Sequence, residues 1–120
     1  MKKLYSAMLI ANLIIELVGA GALLTAPEFL VDAGNASALL WSRNYAFVAL
    51  GVGSAVFWAW PHRDNFAAVG VTLGLLLAFH VAIAAALAIA GVLMVDVILH
   101  GAYGAVCLYL FTQRRKWCSE

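Results

Sequence analysis

From Phe66 to Thr112 the chain reads FAAVGVTLGLLLAFHVAIAAALAIAGVLMVDVILHGAYGAVCLYLFT, an apolar run whose only acidic, basic or imidazole side chains are His80, Asp96 and His100. A helix that crosses a bilayer needs about 20 apolar residues, because each residue rises about 1.5 Å through a hydrocarbon core of about 30 Å. The run is too long for one crossing and too short for three. It therefore predicts a hairpin of two membrane helices, over residues 65–89 and 94–112, with the turn at Gly91.

Two further apolar stretches precede this hairpin, at residues 4–24 and 39–60. Pro61 follows the second stretch directly. Hydrophobic residues make up 66% of the chain and charged residues 11%, against about 45–50% and 25% in ordinary soluble domains. A chain of 120 residues cannot bury that much apolar surface in one core. The sequence predicts an all-α fold, a four-helix transmembrane bundle that forms a single domain over residues 1–120.

The connection between the first two spans has the signals of a short helix at the outer membrane surface. Thr25 and Glu28 have the spacing of a capping box, Pro27 suits the first helical turn and Gly34 suits the C-terminal end. Apolar and acidic residues of this segment are then expected to face lipid and water respectively: Phe29, Leu30 and Val31 against Glu28 and Asp32.

The distribution of basic residues predicts the orientation. Lysine and arginine collect on the cytoplasmic side of membrane proteins. With four spans the two termini and the loop after Pro61 share one side, and Arg43 lies on the other. The shared side holds Lys2, Lys3, Arg63, Arg114, Arg115 and Lys116. We therefore expect a multi-pass protein of the bacterial inner membrane with both termini in the cytoplasm.

A cleaved signal peptide is an alternative interpretation of the first span. Lys2 and Lys3 followed by an apolar run and by the small residues 20–22 fit that pattern. Glu16 argues against it, because an acidic residue is unusual in the apolar core of a signal peptide, and the apolar run continues to Leu24.

Of the polar residues inside the predicted spans, five form the candidate site: Asn12, Glu16, His80, Asp96 and His100. Ionisable groups at membrane depth are costly, so they face a protein interior or a cavity and are functional candidates. Centring each span in the bilayer puts Glu16 near the midplane and both histidines roughly 4–5 Å further out. Asp96 falls one turn beyond His100 on the same helical face.

Several functions fit these residues. A carboxylate and two imidazoles can carry protons or bind a small ligand or cation near neutral pH, and a buried polar network with Glu16 hydrogen-bonded to a histidine can equally fix helix register. Asp96 also suits the first turn of its helix. Because His80 and His100 come from different helices at similar depth, a bis-histidine haem is a further alternative. An accessory subunit of a membrane complex is the remaining class.

Other chemistry has no signal in the chain. There is no phosphate-binding glycine loop, nucleophile elbow, metal-ligand spacing or basic face for nucleic acid, so the sequence indicates neither an enzyme nor a dedicated metal site. Cys107 and Cys118 are too few for a disulfide framework.

A ridge of small residues recurs every fourth position along the third predicted span. Such ridges allow helices to approach closely, and His80 lies nearly opposite this one on the helix. This face can contact a second neighbouring helix of the same chain, or it can bind a second copy or a partner subunit through Gly70, Gly74, Ala78 and Ala82.

Two family resemblances follow from these features. The stretch 19–30, GAGALLTAPEFL, followed by Ser42-Arg43-Asn44-Tyr45 and a glycine-containing second helix, resembles the DoxX-like group of small bacterial four-helix membrane proteins. That resemblance implies the fold and no particular activity. The lone Glu16 in the first span is similar to that of the small multidrug resistance transporters, which implies a proton-coupled transporter of small cations as an alternative.

Overall fold

The computed structural model describes residues 1–29, 34–91 and 94–119, and these residues are helical almost throughout. Five α-helices follow one another: α1 (Lys2–Thr25), α2 (Ala36–Gly53), α3 (Ala55–Ala59), α4 (Phe66–Ala90) and α5 (Met94–Gln113). Short 3₁₀ turns lie at Pro27–Phe29, Trp60–His62 and Arg114–Lys116. The described residues include no β-strand, so the predicted all-α class is confirmed.

Among the described residues, three helices are long and apolar enough to cross a membrane. They are α1, α4 and the helix Met94–Lys116, which consists of α5 and the 3₁₀ turn that follows it. They correspond to the first, third and fourth predicted spans. The second predicted span is also helical but is divided between α2 and α3.

The division falls at Ser54, whose hydroxyl donates to the carbonyl of Gly51 at 2.7 Å. A serine side chain that bonds its own preceding turn competes with the regular helical pattern. Gly51 and Gly53 lie in the same turn, and glycine is a poor helix former. The backbone of Ser54 stays in the right-handed helical region, φ −65° and ψ −12°, and its N–H still donates to the carbonyl of Leu50 at 3.0 Å, so the division is a small irregularity in the helix that hydropathy predicted.

The turn between α4 and α5 lies where the sequence predicts it. Gly91 caps α4 with φ +68° and ψ +24°, in the left-handed region that costs glycine nothing and other residues considerably more. At the other end of α4 the Asn65 side chain accepts a hydrogen bond from the backbone N–H of Ala68 at 2.9 Å. The predicted bounds of both hairpin helices agree with the structure to within one residue.

The outer connection differs from the sequence prediction in its first residues. Thr25 belongs to the last turn of α1, where its hydroxyl donates to the carbonyl of Gly21 at 2.7 Å. One 3₁₀ turn follows at Pro27–Phe29, and Asn35, rather than Thr25, caps the next α-helix by accepting from Ala38 N–H at 3.0 Å. The remainder of the predicted surface helix, residues 30–33, lies outside the described residues.

The chain divides into two compact units. The hairpin unit consists of Met1–Tyr5 and Pro61–Glu120, and the α1–α2 unit consists of Ser6–Trp60. In the hairpin unit the buried residues of α4 and α5 recur every three or four positions, as expected for one helix face. The α1–α2 unit has a small apolar core made of Ala20, Leu23, Ala46 and Ala49.

The C-terminal segment packs against the end of the hairpin that lies away from the Gly91 turn, here called the open end. Phe66 N–H donates to the carbonyl of Ser119 at 2.9 Å, and Ser119 N–H donates to the carbonyl of Asp64 at 2.7 Å. The Lys2 ammonium lies 3.0 Å from the Asp64 carboxylate, and the Tyr5 ring contacts the Trp117 ring with centroids 5.4 Å apart. Both ends of the chain are thereby tied to the start of α4.

Candidate functional site

The two predicted histidines lie on the buried faces of the hairpin helices. On α4, His80 continues the buried stripe of Val69, Leu73 and Leu76. On α5, His100 begins a stripe that continues through Gly104, Cys107 and Leu110. His80 is 1% exposed and His100 is 8% exposed. Because both imidazoles occupy positions that are otherwise apolar or small, helical periodicity alone turns them toward the interface between α4 and α5.

The Nδ1 atoms of His80 and His100 are 2.8 Å apart, within hydrogen-bonding distance. The ring centroids are 5.1 Å apart and the ring planes differ by 34°. The two nitrogens are thus the closest part of the two rings and point toward each other. One imidazole donates its Nδ1–H and the other accepts with its Nδ1 lone pair, so the two residues adopt different tautomers when both are neutral.

This geometry fits a shared proton better than a shared zinc ion. With the Nδ1 atoms 2.8 Å apart, a metal at about 2.0–2.1 Å from both would lie off the line that joins them, with an N–metal–N angle narrower than that of a tetrahedral zinc site. Axial haem ligands must stand on opposite faces of the macrocycle, whereas these nitrogens are in direct contact. The arrangement favours a hydrogen-bonded pair over either ligand set.

Two aromatic rings surround the pair. The Tyr103 ring lies 4.4 Å from the His80 ring, centroid to centroid, at 39°. Phe79 presents an edge-on arrangement to both histidines, at 5.2 Å from His80 and 6.4 Å from His100. Neither residue is among the predicted site residues, although Tyr103 follows His100 by three positions and therefore shares its helix face. These apolar rings shield the histidine pair from water, and ring–ring contacts favour particular orientations of the imidazoles.

Gly104 allows α4 and α5 to approach closely beside the pair. A Cβ atom at this position would lie 3.0 Å from Cγ2 of Val81. Val81 has little freedom to move, because a β-branched side chain in a helix has one strongly preferred rotamer. Gly104 follows His100 by four positions and Val81 follows His80 by one, so this close approach lies next to the pair.

Asp96 lies one helical turn before His100, in the first turn of α5, and is half-buried. This is where the sequence placed it. An acidic residue there is favoured by the helix dipole, and the spacing of four puts its carboxylate on the His100 face.

The other two predicted site residues belong to the α1–α2 unit. Asn12 is fully buried, and its Nδ2 donates to the carbonyl of Val52 at 3.1 Å. Val52 lies in the last turn of α2, where carbonyls lose their intrahelical partners. Glu16, one turn along α1, is 3% exposed, and its Oε1 has no hydrogen-bond partner among the described residues. Gly53 faces it, since a Cβ there would lie 3.0 Å from Cβ of Glu16.

The predicted partner ridge of α4 is open in its second half. Ala78 and Ala82 are exposed, whereas Gly70 and Gly74 are half-buried. This agrees with the expectation that His80 and the ridge occupy opposite sides of the helix. That a partner binds there stays a prediction.

Comparison of the chain with protein-family models, with curated proteins and with solved structures finds no match. The resemblances to the DoxX-like group and to the small multidrug resistance transporters stay predictions. The function is therefore inferred from the geometry and chemistry of the described site residues.

Proposed function

We propose that this protein is a multi-pass protein of the bacterial inner membrane that relays protons through the His80–His100 pair. The observation that carries the proposal is the 2.8 Å Nδ1–Nδ1 contact between two imidazoles that are 1% and 8% exposed. Three helices long and apolar enough to span a bilayer support the membrane assignment. Ionisable side chains within such helices typically mark ion or proton pathways.

The chemistry of the relay follows from the two nitrogens of each ring. A proton that reaches one imidazole from outside the pair releases the Nδ1 proton across the hydrogen bond to the other. The second ring then gives up a proton at its remaining nitrogen. In a buried site two adjacent imidazolium ions repel strongly, so the pair carries one extra proton at a time.

Proton flux into liposomes tests this function. The purified chain is reconstituted with a pH-sensitive dye inside the vesicles, and a potassium gradient with valinomycin drives proton entry. We expect flux above that of empty vesicles, and we expect His80→Gln and His100→Gln to reduce it to the empty-vesicle rate. His62→Gln is the matched control, because His62 is exposed in the turn after α3.

Two results would contradict the proposal: native protein with no flux above empty vesicles, or folded His80→Gln and His100→Gln proteins with native flux. A purely structural pair predicts the second result together with lower thermal stability. The haem alternative has its own measurement, since a bis-histidine haem absorbs visible light in the purified protein.

The sequence prediction that Glu16 takes part, and with it the alternative of proton-coupled cation transport, stays a prediction. Its test is drug resistance conferred on a susceptible host by the native chain and by Glu16→Ala. Resistance that vanishes with the substitution would support the transporter class. If the host is as sensitive to drugs with either chain as without it, the transporter alternative is wrong and the proton relay is unaffected.

The proposed orientation is supported by the six basic residues on the predicted cytoplasmic side against Arg43 on the other. Reporter fusions at residues 1, 63 and 120 are expected to report the cytoplasm, and a fusion near Asn35 the periplasm. Mixed signals at one position would contradict a single orientation.

A further inference from the structure

The open end of the hairpin holds an arginine in a fixed position. Nη1 of Arg114 donates to the carbonyl of Phe111 at 2.7 Å. Its Cζ atom lies 3.8 Å from the centroid of the Phe111 ring and 4.6 Å from that of Phe66. Arg114 thus packs against aromatic rings from both α4 and α5, and cation–π contacts of this kind stabilise a guanidinium in a defined place.

Gly70 makes the room for this arrangement. A Cβ atom at position 70 would lie 3.3 Å from Nε of Arg114 and 3.8 Å from its Cδ. Gly74, one turn further along α4, has no atom within 4 Å of an added Cβ. The two glycines therefore differ in their contacts, although they belong to the same helix and the same sequence repeat.

The positive charge at this end is not neutralised within the part of the chain that the structure describes. Arg114, Arg115 and Lys116 form one 3₁₀ turn. The ion pair found among the described residues joins Lys2 to Asp64 and includes none of these three. The Nε of Arg114 and the Nε1 of Trp117 are covered, and neither has a hydrogen-bond acceptor among the described residues.

Because these two N–H groups are covered, a phosphate from outside reaches Arg114 through its terminal Nη groups and not through Nε. A phosphate group supplies the negative charge that this turn lacks among the described residues, and arginine binds phosphate with paired N–H donors. The location of the turn indicates that the phosphate comes from a lipid. The turn forms the end of the helix Met94–Lys116, which is apolar enough to span the membrane. Next to Gly70, the α4 surface exposes Val71 and Leu75, which can contact acyl chains.

We propose that Arg114, placed by Gly70 and the two phenylalanine rings, binds the phosphate of an anionic phospholipid headgroup, with Arg115 and Lys116 adding to the local positive charge. The site lies at the end of the hairpin away from the Gly91 turn, and its function is separate from the proton relay. It depends on α4 and α5 crossing the membrane, but not on the histidines.

Lipid retention measures the site directly. The full chain, purified in detergent, is incubated with equal amounts of phosphatidylglycerol and phosphatidylcholine, and the bound lipid is counted by native mass spectrometry. We expect phosphatidylglycerol to be retained preferentially. We expect Arg114→Gln to lower its retention at least about tenfold, the effect of losing one hydrogen bond to a charged group.

Placement is tested separately from charge. Gly70→Val keeps the net charge but displaces Arg114, and we expect it to lower retention several-fold, whereas Gly74→Val retains lipid as the native chain does. Arg43→Gln is the control for removal of one positive charge elsewhere. His80→Gln is expected to retain lipid normally, so failure of the proton relay and failure of the lipid site are distinguishable.

Native retention by both Arg114→Gln and Gly70→Val would overturn the proposal, and so would an equal loss in Arg43→Gln. Thermal stabilisation by inorganic phosphate as large as that by phosphatidylglycerol would indicate a free anion site and overturn the lipid assignment. If Arg114→Gln does not fold, Arg114→Lys keeps the charge without the paired donors. An intermediate retention in that variant supports the site, and unchanged retention overturns it.

Discussion

The hairpin unit and the α1–α2 unit both bury polar side chains, but the hydrogen bonds of these side chains differ between the two units. In the hairpin unit His80 and His100 bond to each other, side chain to side chain. In the α1–α2 unit Asn12 bonds to a backbone carbonyl of α2, while Oε1 of Glu16 has no partner among the described residues. The first pair is a self-contained unit that can exchange a proton. In the second pair, Asn12 makes a structural hydrogen bond, while the carboxyl group of Glu16 is buried with one oxygen unpaired among the described residues. Apolar packing does not explain why a carboxyl group occupies that position.

The close contacts of glycine, in contrast, are alike in the two units. Gly104 approaches an aliphatic side chain, Val81, and Gly53 approaches Cβ of Glu16, each at 3.0 Å from an added Cβ. In each unit a glycine therefore sits beside the polar residue that defines the candidate site. Close helix approach and buried polarity therefore occur together in both units.

The largest effect is expected from breaking the histidine pair. His80→Leu or His100→Leu leaves one buried imidazole without its partner and is expected to lower the free energy of unfolding by about 2–3 kcal/mol. The double variant removes both polar groups and is expected to cost less than the sum of the two. Thermal unfolding in detergent, followed by circular dichroism, measures all three, and additive effects would mean that the hydrogen bond contributes nothing.

A smaller effect is expected at the close contact of the α1–α2 unit. Gly53→Ala places a methyl group against Cβ of Glu16, which cannot rotate away, and is expected to cost about 1–2 kcal/mol through overpacking. Gly51→Ala is the matched control on the same helix, because nothing lies within 4 Å of an added Cβ there. We expect Gly51→Ala to be neutral or to stabilise the protein by up to about 1 kcal/mol. Equal melting temperatures for the two variants would argue against the close approach.

The two polar residues of α1 are expected to differ. Asn12→Leu removes the donor to the Val52 carbonyl and is expected to cost about 1 kcal/mol. Glu16→Gln keeps the size of a side chain whose Oε1 has no described partner, and its expected effect on thermal stability is below about 0.5 kcal/mol. A larger loss with Glu16→Gln than with Asn12→Leu would reverse the roles assigned to these residues.

The smallest effect is expected at the water-facing end of the hairpin unit. Lys2 and Asp64 form an ion pair at 3.0 Å, with about half of each side chain exposed. Exposed pairs contribute about 0–1 kcal/mol and are screened by salt. We expect Lys2→Met to change the melting temperature slightly at low salt and not at all at high salt. A loss that persists in high salt would mean that Lys2 acts through packing.

Much of the fold could be predicted from local information. Hydropathy and length predicted the hairpin, because the thickness of a bilayer sets the length of a spanning helix, and Gly91 marked its turn because glycine alone adopts the left-handed conformation without strain. The same reasoning missed the division at Ser54, since hydropathy does not register a hydroxyl that bonds to the carbonyl of Gly51. It also predicted that Thr25 begins a short surface helix, whereas Thr25 lies in the last turn of α1, because a capping pattern does not show where the preceding apolar helix ends.

For the candidate site, the sequence by itself determined which ionisable side chains belong to long apolar helices, and the helical rise predicted that His80 and His100 lie at a similar depth. It could not determine that their Nδ1 atoms meet at 2.8 Å, or that Arg114 packs between Phe66 and Phe111 above Gly70. Those contacts depend on the spacing and rotation of α4 against α5 and on side-chain rotamers. Only the tertiary structure decides them, because hydrogen bonds and close contacts change over tenths of an ångström, whereas a sequence pattern resolves no more than the face of a helix.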